Sequence, residues 1–256
     1  MTDQSTSKHD GVRDHYARAA HALPTFTVLN YGFSTDPEVS SIPLEEPEFY
    51  CLRLYEHALD GVPLHNAEVL EVSCGRGGGA AFMHRTFAPR RLVAVDLSPE
   101  NIRLAQTRAT EPNVEFRVGA AEQLDLPDQS FDVVVNIGAS HLYDSRDGFL
   151  MQVWRVLKPG GYFCYSDGCW ADDDCSDDLL SVGFELLERH EITDNVIRAL
   201  RRDSARRSAL FDALPDVELR EQYKHWGGVV GYRAYERFEA GQTRYFCHRL
   251  RRPPES

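Results

Sequence analysis

Short apolar runs alternate with amphipathic stretches through the middle of the chain. The runs have the continuous apolar character of strands buried on both faces, and between them apolar residues recur at helical spacing. We predict five strands here, over residues 68–73, 92–96, 114–118, 132–136 and 162–167. Helices are predicted between them over residues 78–86, 99–109 (with Ser98 as N-cap) and 146–157. This alternation predicts a parallel sheet with right-handed crossovers, and therefore a Rossmann-like, doubly wound α/β fold.

The segment that precedes the first strand departs from this alternation. Residues 1–65 combine a helical pattern with turn residues and a cluster of aromatic side chains. We expect residues 1–11 to be disordered and helices to span residues 12–23 and 48–59. The segment is predicted to be an N-terminal helical arm that covers a ligand pocket, with a simple packing helix as the alternative.

The segment that follows the fifth strand is also irregular. Residues 171–215 are highly charged and helical in pattern, which predicts a helical cap inserted between strands five and six. We expect a strand over 217–225, a short helix over 229–238 and a final strand over Thr243–Arg251. The predicted organisation is an arm (1–65), a cofactor-binding core (66–170), a cap (171–215) and the last strands of a mostly parallel, seven-stranded sheet (216–256).

Composition and charge narrow the classes of protein. The chain is 42% hydrophobic, yet no apolar run approaches the roughly 20 residues that span a membrane. The start of the sequence is polar, without the apolar core of a secretory signal, so a cytoplasmic location is expected. The net charge of −12 argues against a nucleic-acid partner and favours a small, uncharged or apolar one. The six cysteines show no CxxC pair, so we expect reduced thiols, and a homodimer is left open.

A glycine-rich turn follows the first predicted strand, in the stretch VLEVSCGRGGGAA at residues 69–81. Gly75, Gly77 and Ala80 formally match the dinucleotide-binding fingerprint, which by itself is a weak signal. Glu71 lies just before this turn, where its carboxylate would repel a pyrophosphate group. S-adenosylmethionine (SAM) carries a positive amine and a sulfonium and no phosphate, so the same carboxylate favours it. The residues therefore favour SAM over a nicotinamide cofactor.

Four stretches of this sequence resemble class I SAM-dependent methyltransferases: EVSCGRGGG, VDLS, FDVVVNIGASH and RVLKPGGYF. Among these the chain is similar to bacterial O-methyltransferases of secondary metabolism, such as the phthiotriolone/phenolphthiotriolone dimycocerosate methyltransferases. The similarity is clear over about residues 66–167. Ser73 departs from the glycine of the wider superfamily, and Ala120 departs from an aspartate that holds the adenine amino group in many relatives. The second departure shifts the expected adenine contact to the backbone or to Glu122.

Cofactor-binding residues are expected at the carboxyl ends of the strands, where doubly wound sheets bind ligands. Asp96 would accept both ribose hydroxyls, with Asn101 as an added contact. Asn136, at the end of strand four, would face the methionine part of SAM, and Tyr31 of the arm would close over it. The full predicted set is Tyr31, Glu71, Ser73, Cys74, Gly75, Gly77, Asp96, Leu97, Asn101, Ala120, Ala121, Glu122 and Asn136.

The predicted reaction is O-methylation of a bulky, largely apolar small molecule, a natural product of the polyketide, glycoside or lipid type. His141 lies in the loop that relatives place against the acceptor, and histidine suits proton removal at neutral pH. Asp167 ends strand five and would fix the tautomer of His141 or bind the acceptor. Five aromatic residues are expected to line the acceptor pocket: Trp170, Phe184, Trp226, Tyr232 and Tyr235.

Several alternatives stay open at this point. Methylation of nitrogen or carbon is an alternative within the enzyme class. A SAM-fold pericyclase or binding protein without methyl transfer is an alternative outside it, and a nicotinamide oxidoreductase ranks third. The acidic run at 172–174, with Asp177 and Asp178, resembles an Mg²⁺ site. Metal-dependent relatives need carboxylates at the ends of strands four and five, and Asn136 occupies the first position, so no metal is expected.

Overall fold

The computed structural model describes residues 11, 18, 22–173 and 176–255. Within these residues, seven strands form one sheet in the order β3-β2-β1-β4-β5-β7-β6. Strand β7 runs antiparallel to both of its neighbours, and the pairs from β3 to β5 are parallel. The strands are β1 (Glu68–Val72), β2 (Arg91–Asp96), β3 (Val114–Val118), β4 (Phe131–Ile137), β5 (Leu157–Trp170), β6 (Glu185–Glu191) and β7 (Thr243–Arg251).

Helices cover both faces of this sheet. Alternate residues of the strands point to opposite faces, and each face packs in its own apolar core. Val133 and Val135 of β4 face one core, and Val134 faces the other. The prediction of a Rossmann-like, doubly wound and mostly parallel sheet is confirmed. The helices are α1 (Phe49–Ala58), α2 (Gly78–Phe87), α3 (Pro99–Arg108), α4 (Arg146–Val156), α5 (Asp177–Ser181), α6 (Thr193–Asp212), α7 (Val217–Trp226) and α8 (Arg233–Glu239), with a 3₁₀ turn at Ser140–Leu142.

The central elements lie close to their predicted positions. Helix α3 begins at Pro99, and the Ser98 hydroxyl caps it by accepting a hydrogen bond from the Asn101 amide. Helix α1 falls within the predicted 48–59, whereas the segment 1–11 and the helix 12–23 lie largely outside the described residues. Strand β5 is longer than predicted at both ends.

The order of elements after β5 corrects the sequence-based prediction. Residues 185–191, predicted to be part of a helical cap, form strand β6, and residues 217–225, predicted to be a strand, form helix α7. Helices α6 to α8 therefore lie between β6 and β7. Strand β6 lies at the edge of the sheet with all seven residues exposed, so it lacks the buried alternation that identifies a strand. Helix α7 begins with a capping aspartate, since the Asp216 side chain accepts from the Leu219 amide.

Candidate active site

A cavity of about 770 Å³ lies at the carboxyl ends of β1, β2 and β4, and it is the main cavity of the site because it gathers most of the predicted cofactor residues. Many of the predicted cofactor residues meet on its walls: Ser73, Cys74, Gly75, Asp96, Leu97, Ala120, Ala121 and Glu122. The arm and helix α1 supply the opposite wall, through Thr27, Val28, Leu29 and Tyr55. Five of the predicted cofactor residues lie outside this lining: Tyr31, Glu71, Gly77, Asn101 and Asn136.

Asp96 is held rigidly at the end of β2. Its Oδ2 accepts from the Gly75 amide at 2.9 Å, and its Oδ1 accepts from the Ser98 amide at 2.9 Å and from the Asn101 Nδ2 at 3.1 Å. Burial raises the pKa of Asp96, although these hydrogen bonds act against that shift. Asn101 is buried behind Asp96 and therefore orients this carboxyl group instead of lining the cavity.

Glu71 is buried beneath the cavity wall. Its Oε1 accepts from the Tyr55 hydroxyl at 2.7 Å, and Oε2 has no hydrogen-bond partner among the described residues. Burial raises the pKa of Glu71 to about 8, against the effect of the Tyr55 hydrogen bond and assisted by the charge of Asp96. The carboxyl group is therefore largely protonated at neutral pH. It does not line the cavity itself, but its hydrogen-bond partner Tyr55 does.

A second buried polar group joins β1 and β4. The Asn136 Nδ2 donates to the Val72 carbonyl at 3.0 Å and to the Tyr143 hydroxyl at 2.7 Å. That hydroxyl also lies 2.7 Å from the Ser73 Oγ. Tyr143 and Ser73 face the cavity while Asn136 supports them from behind. Ser73 has a φ of 60°, a conformation that glycine adopts without strain, which explains the glycine of the wider superfamily at this position.

Gly77 is required for packing. It has a φ of 80°, and a Cβ there would lie 2.8 Å from the Phe116 ring and 3.0 Å from the Ala105 Cβ. The glycine therefore lets α2 approach α3 and β3, away from the main cavity.

The arm is fastened across the cavity by buried charged side chains. The Glu48 carboxylate accepts from the backbone amides of Thr27 and Val28, and the Arg76 guanidinium donates to the carbonyls of Leu23 and Phe26. The sequence reasoning did not identify Glu48 or Arg76. The sequence does contain a sign of the role of Arg76, because this long charged residue interrupts a turn made otherwise of small residues.

Two further cavities lie beside the main cavity and share lining residues with one another. The second, of about 380 Å³, shares Leu29 and Gly138 with the main cavity. The third, of about 1070 Å³, shares Tyr31 and His141 with the second. Tyr31, predicted to close over the cofactor, thus lines the second and third cavities and not the main cavity. His141 lies at the junction between the second and third cavities.

His141 and Asp167 form the predicted pair. The His141 Nδ1 lies 2.8 Å from the Asp167 Oδ1, and the His141 amide donates to Oδ2 at 3.0 Å. The Ser140 hydroxyl and the Gly168 amide also donate to this carboxylate, each at 2.8 Å. Burial would raise the pKa of Asp167, but the charge and hydrogen bond of His141, with those of Ser140 and Gly168, hold it below its usual value. The imidazole side chain is 40% exposed, whereas the Asp167 side chain is 2% exposed.

The predicted acceptor-lining aromatics divide into two groups. Trp226 lines the second cavity and Trp170 the third, together with Phe26, Phe238 and Tyr245, which the sequence reasoning missed. The other three lie outside both linings. Phe184 packs in the core against Trp154, Tyr232 packs on His225, and the Tyr235 hydroxyl accepts from the Arg201 Nε at 2.8 Å.

Among the described residues, no three His, Cys, Asp or Glu side chains come together as a metal-binding group, and Asp174 of the acidic run lies outside those residues. No helix in the described part of the chain has the length and apolar content that crossing a membrane requires.

The strand order and the cavity at the carboxyl strand ends define a Rossmann-like protein, a class that binds its ligands at this edge of the sheet. The family model described as "Methyltransferase domain" matches residues 70–165. The chain is 34% identical to a fatty-acid O-methyltransferase of Mycolicibacterium smegmatis, covering 89% of this chain and 84% of the relative. It is 35% identical to a phthiotriol/phenolphthiotriol dimycocerosates methyltransferase of Mycobacterium leprae, covering 90% and 87%. The chain therefore belongs to the SAM-dependent methyltransferases, and its cofactor is SAM.

Solved structures share the fold at low identity. The cyclase SpnF superposes with a TM-score of 0.75 at 18% identity, covering 97% of this chain and 98% of the cyclase. A putative sarcosine dimethylglycine methyltransferase from Galdieria sulphuraria superposes with a TM-score of 0.74 at 17% identity, covering 94% and 98%. One fold thus serves both a cyclase and methyltransferases, so the site residues must decide the chemistry.

Proposed function

We propose that the protein methylates a hydroxyl oxygen of a bulky, largely apolar small molecule, with His141 as general base. The observation that carries this proposal is the position of the His141–Asp167 pair, one cavity away from the main cavity and at the entrance to the third. When bound, SAM supplies a methyl group activated by its sulfonium. The residues that would hold it are Asp96 at the ribose, the turn from Ser73 to Gly75, and the Tyr55–Glu71 pair near its positive charge.

Asp167 sets the role of each imidazole nitrogen in this proposal. An ionised Asp167 accepts the proton of Nδ1, so the neutral ring presents Nε2 as its basic nitrogen. The low pKa of Asp167 keeps its carboxylate charged across the neutral range. When the acceptor hydroxyl gives its proton to Nε2, the carboxylate stabilises the imidazolium that forms.

The linings support an apolar acceptor. Aromatic side chains surround the second cavity and part of the third: Phe26, Tyr31, Trp170, Trp226, Phe238 and Tyr245. The two mycobacterial relatives are named for fatty acids and for phthiotriol dimycocerosates, which are acceptors of this apolar kind. We therefore propose a lipid or another apolar natural product as the acceptor class.

A carboxyl group is the second candidate acceptor. Arg146 and Arg237 line the third cavity beside Asp167, and guanidinium groups bind carboxylates well. One relative is named as a fatty-acid O-methyltransferase. A carboxylate is already ionised at neutral pH, so its methylation needs no general base, and this difference makes the two candidates separable.

The test measures isotopic methyl transfer from SAM to two probes, oleic acid and 4-butylphenol, in wild type and His141→Ala. With the phenol, His141→Ala should lower the rate by roughly 10²–10⁴, as expected for a general base, while titration calorimetry shows unchanged SAM affinity. His65→Ala is the matched control, because His65 is exposed and outside the cavities. A loss below about tenfold on the phenol would contradict the base role. Transfer to oleic acid alone, insensitive to His141, would favour the carboxyl candidate.

A further inference from the structure

Tyr245 carries a buried hydroxyl group that no contact in the fold explains. The residue belongs to β7 and is 1% exposed. Its hydroxyl has no hydrogen-bond partner within the part of the chain that the structure describes. A buried phenol normally finds a partner, since leaving its O–H group unsatisfied is unfavourable. An unsatisfied hydroxyl therefore suggests a ligand atom as its partner.

Tyr245 lines the second cavity, and its hydroxyl lies beside Gly138, a residue that the main cavity shares. Tyr245, Gly138 and His141 all line that cavity, and Gly138 also lines the main cavity. A Cβ at Gly138 would lie 3.1 Å from the Tyr245 hydroxyl oxygen. The absence of a side chain at Gly138 thus leaves room for a ligand atom beside this oxygen.

The neighbours of the ring fix its direction. The Tyr245 ring packs edge-on against Tyr31, with centroids 6.3 Å apart, and lies 6.3 Å from the Phe238 ring. In the sheet, Tyr245 pairs with Gly168, the residue that follows Asp167. Tyr245 of β7 and Asp167 of β5 therefore lie on neighbouring strands, and His141 contacts Asp167 from the 3₁₀ turn.

We infer that the Tyr245 hydroxyl is a second contact to the acceptor, donating a hydrogen bond to the hydroxyl oxygen whose proton faces His141. Two fixed contacts, one at the proton and one at the oxygen, leave the oxygen one direction for its remaining lone pair. The inference rests on the proposed hydroxyl acceptor.

Tyr245 is suited to donate and unsuited to act as a base. Burial first, and then the negative charge of Asp167, hold the pKa of Tyr245 well above its ordinary value. The phenol therefore keeps its proton throughout the working pH range. His141 accepts a proton and Tyr245 offers one, so the two groups have complementary roles toward one acceptor oxygen.

The experiment measures binding and does not depend on turnover. The complex with S-adenosylhomocysteine is titrated with 4-butylphenol and with butylbenzene, which differ by one hydroxyl group. Wild type should bind the phenol more tightly, and Tyr245→Phe should lower this preference about tenfold, the size of one hydrogen bond whose loss leaves a polar atom unpaired. Tyr235→Phe is the matched control, because its hydroxyl is bonded to Arg201 outside the cavities.

Further readouts distinguish this role from a structural one. Tyr245→Phe should melt at the same or a higher temperature, because it removes an unsatisfied buried hydroxyl, and its S-adenosylhomocysteine affinity should stay unchanged. In turnover of the phenol, kcat/KM should fall about tenfold while the pH profile keeps its wild-type shape.

Three results would overturn the inference. They are equal phenol preference in Tyr245→Phe and wild type, no phenol preference in wild type, and a tenfold weaker affinity for S-adenosylhomocysteine in the variant, which would place the hydroxyl at the cofactor. Failure of the proposed function has a different signature. In that case the phenol preference depends on Tyr245, yet wild type methylates no hydroxyl probe.

Discussion

At the scale of single residues, Glu71 shows how strongly burial changes a side chain. Its carboxyl group is enclosed at the end of β1, accepts one hydrogen bond from Tyr55 and has a pKa of about 8. A carboxylate was expected at this position because a negative charge favours the SAM cation. In the free protein, the group is instead largely a neutral acid, which becomes charged readily when a cation binds nearby.

This pKa predicts a pH dependence of stability. The folded value lies above the ordinary value of 4.5, so the contribution of Glu71 is full below about pH 4.5 and is lost as pH rises to about 8. Its size is a few kcal/mol at most, at about 1.4 kcal/mol per pKa unit. Urea unfolding at pH 5.5 and pH 8.5 should show a smaller loss for Glu71→Gln than for wild type. Glu45→Gln, at an exposed site, should follow wild type, and parallel curves for all three proteins would contradict the prediction.

Two glycines of nearly equal φ separate backbone strain from steric overlap. Gly77 has a φ of 80° and Gly160 a φ of 81°, but a Cβ at Gly160 meets nothing within 4 Å among the described residues. Gly160→Ala should cost about 1–2 kcal/mol for the left-handed backbone alone. Gly77→Ala should cost about 1–3 kcal/mol more, because its Cβ would overlap the Phe116 ring. Equal losses in urea unfolding would show that the packing at Gly77 is looser than described.

At the residue level, the sequence indicates which side chains meet when they lie at the carboxyl ends of buried strands. Asp96 ends β2 and Asp167 lies near the carboxyl end of β5, and the parallel order brings such ends to one edge, so their grouping follows from the sequence. Tyr55, Tyr143 and Tyr245 could not be found in this way. Their positions depend on how α1, the 3₁₀ turn and β7 pack onto that edge, which local sequence does not encode.

At the scale of elements, a buried guanidinium is one of several links between the arm and helix α6. Arg207 donates to the Asn30 carbonyl of the arm at 2.9 Å, to the Gly227 carbonyl at 2.8 Å and to Asp203 at 2.8 Å. Arg206, one residue earlier, also pairs with Asp203 but is 39% exposed. The two arginines therefore differ in role. Arg207 links parts of the chain that are distant in sequence, whereas Arg206 forms an ion pair within its own helix.

Replacing each of these arginines by alanine should have unequal effects. Arg207→Ala should lower the free energy of unfolding by about 3 kcal/mol, because it removes the guanidinium that donates to two buried carbonyls and to Asp203. Amide exchange in the arm near Asn30 should also accelerate. Arg206→Ala should cost less than about 1 kcal/mol, as is usual for exposed pairs. Similar losses by urea unfolding, or unchanged exchange in the arm, would refute the link.

Element-level prediction failed where partners are distant in sequence. Strand β6 has the sequence ELLERHE, and its charges pair across the sheet with β7, as in Glu185 with Arg251 and Glu191 with Arg244. An isolated stretch with alternating charge and leucine fits an exposed helix equally well. The strand forms because it can pair with the edge of β7, and a partner so distant in sequence cannot be predicted from the local pattern.

At the scale of the whole molecule, three neighbouring cavities that share lining residues lie at the carboxyl edge of the sheet. The main cavity is closed on one side by the arm, and the third lies furthest from it, between β5, β7 and α8. The fold could be predicted because parallel strands and crossover helices are read from local pattern. The group of cavities could not, since it depends on how the arm and helices α6 to α8 meet above the sheet.

The position of β7 between β5 and β6 has a consequence for synthesis on the ribosome. Among the seven strands it emerges last, yet it occupies an inner place in the sheet. Until residues 243–251 have emerged, β5 exposes a bare edge and β6 lacks its partner strand, and exposed edges of this kind invite aggregation. A stalled nascent chain would hold the glycine turn and His141 but lack Tyr245. Chaperone protection of the growing chain should therefore be needed until this strand has been inserted.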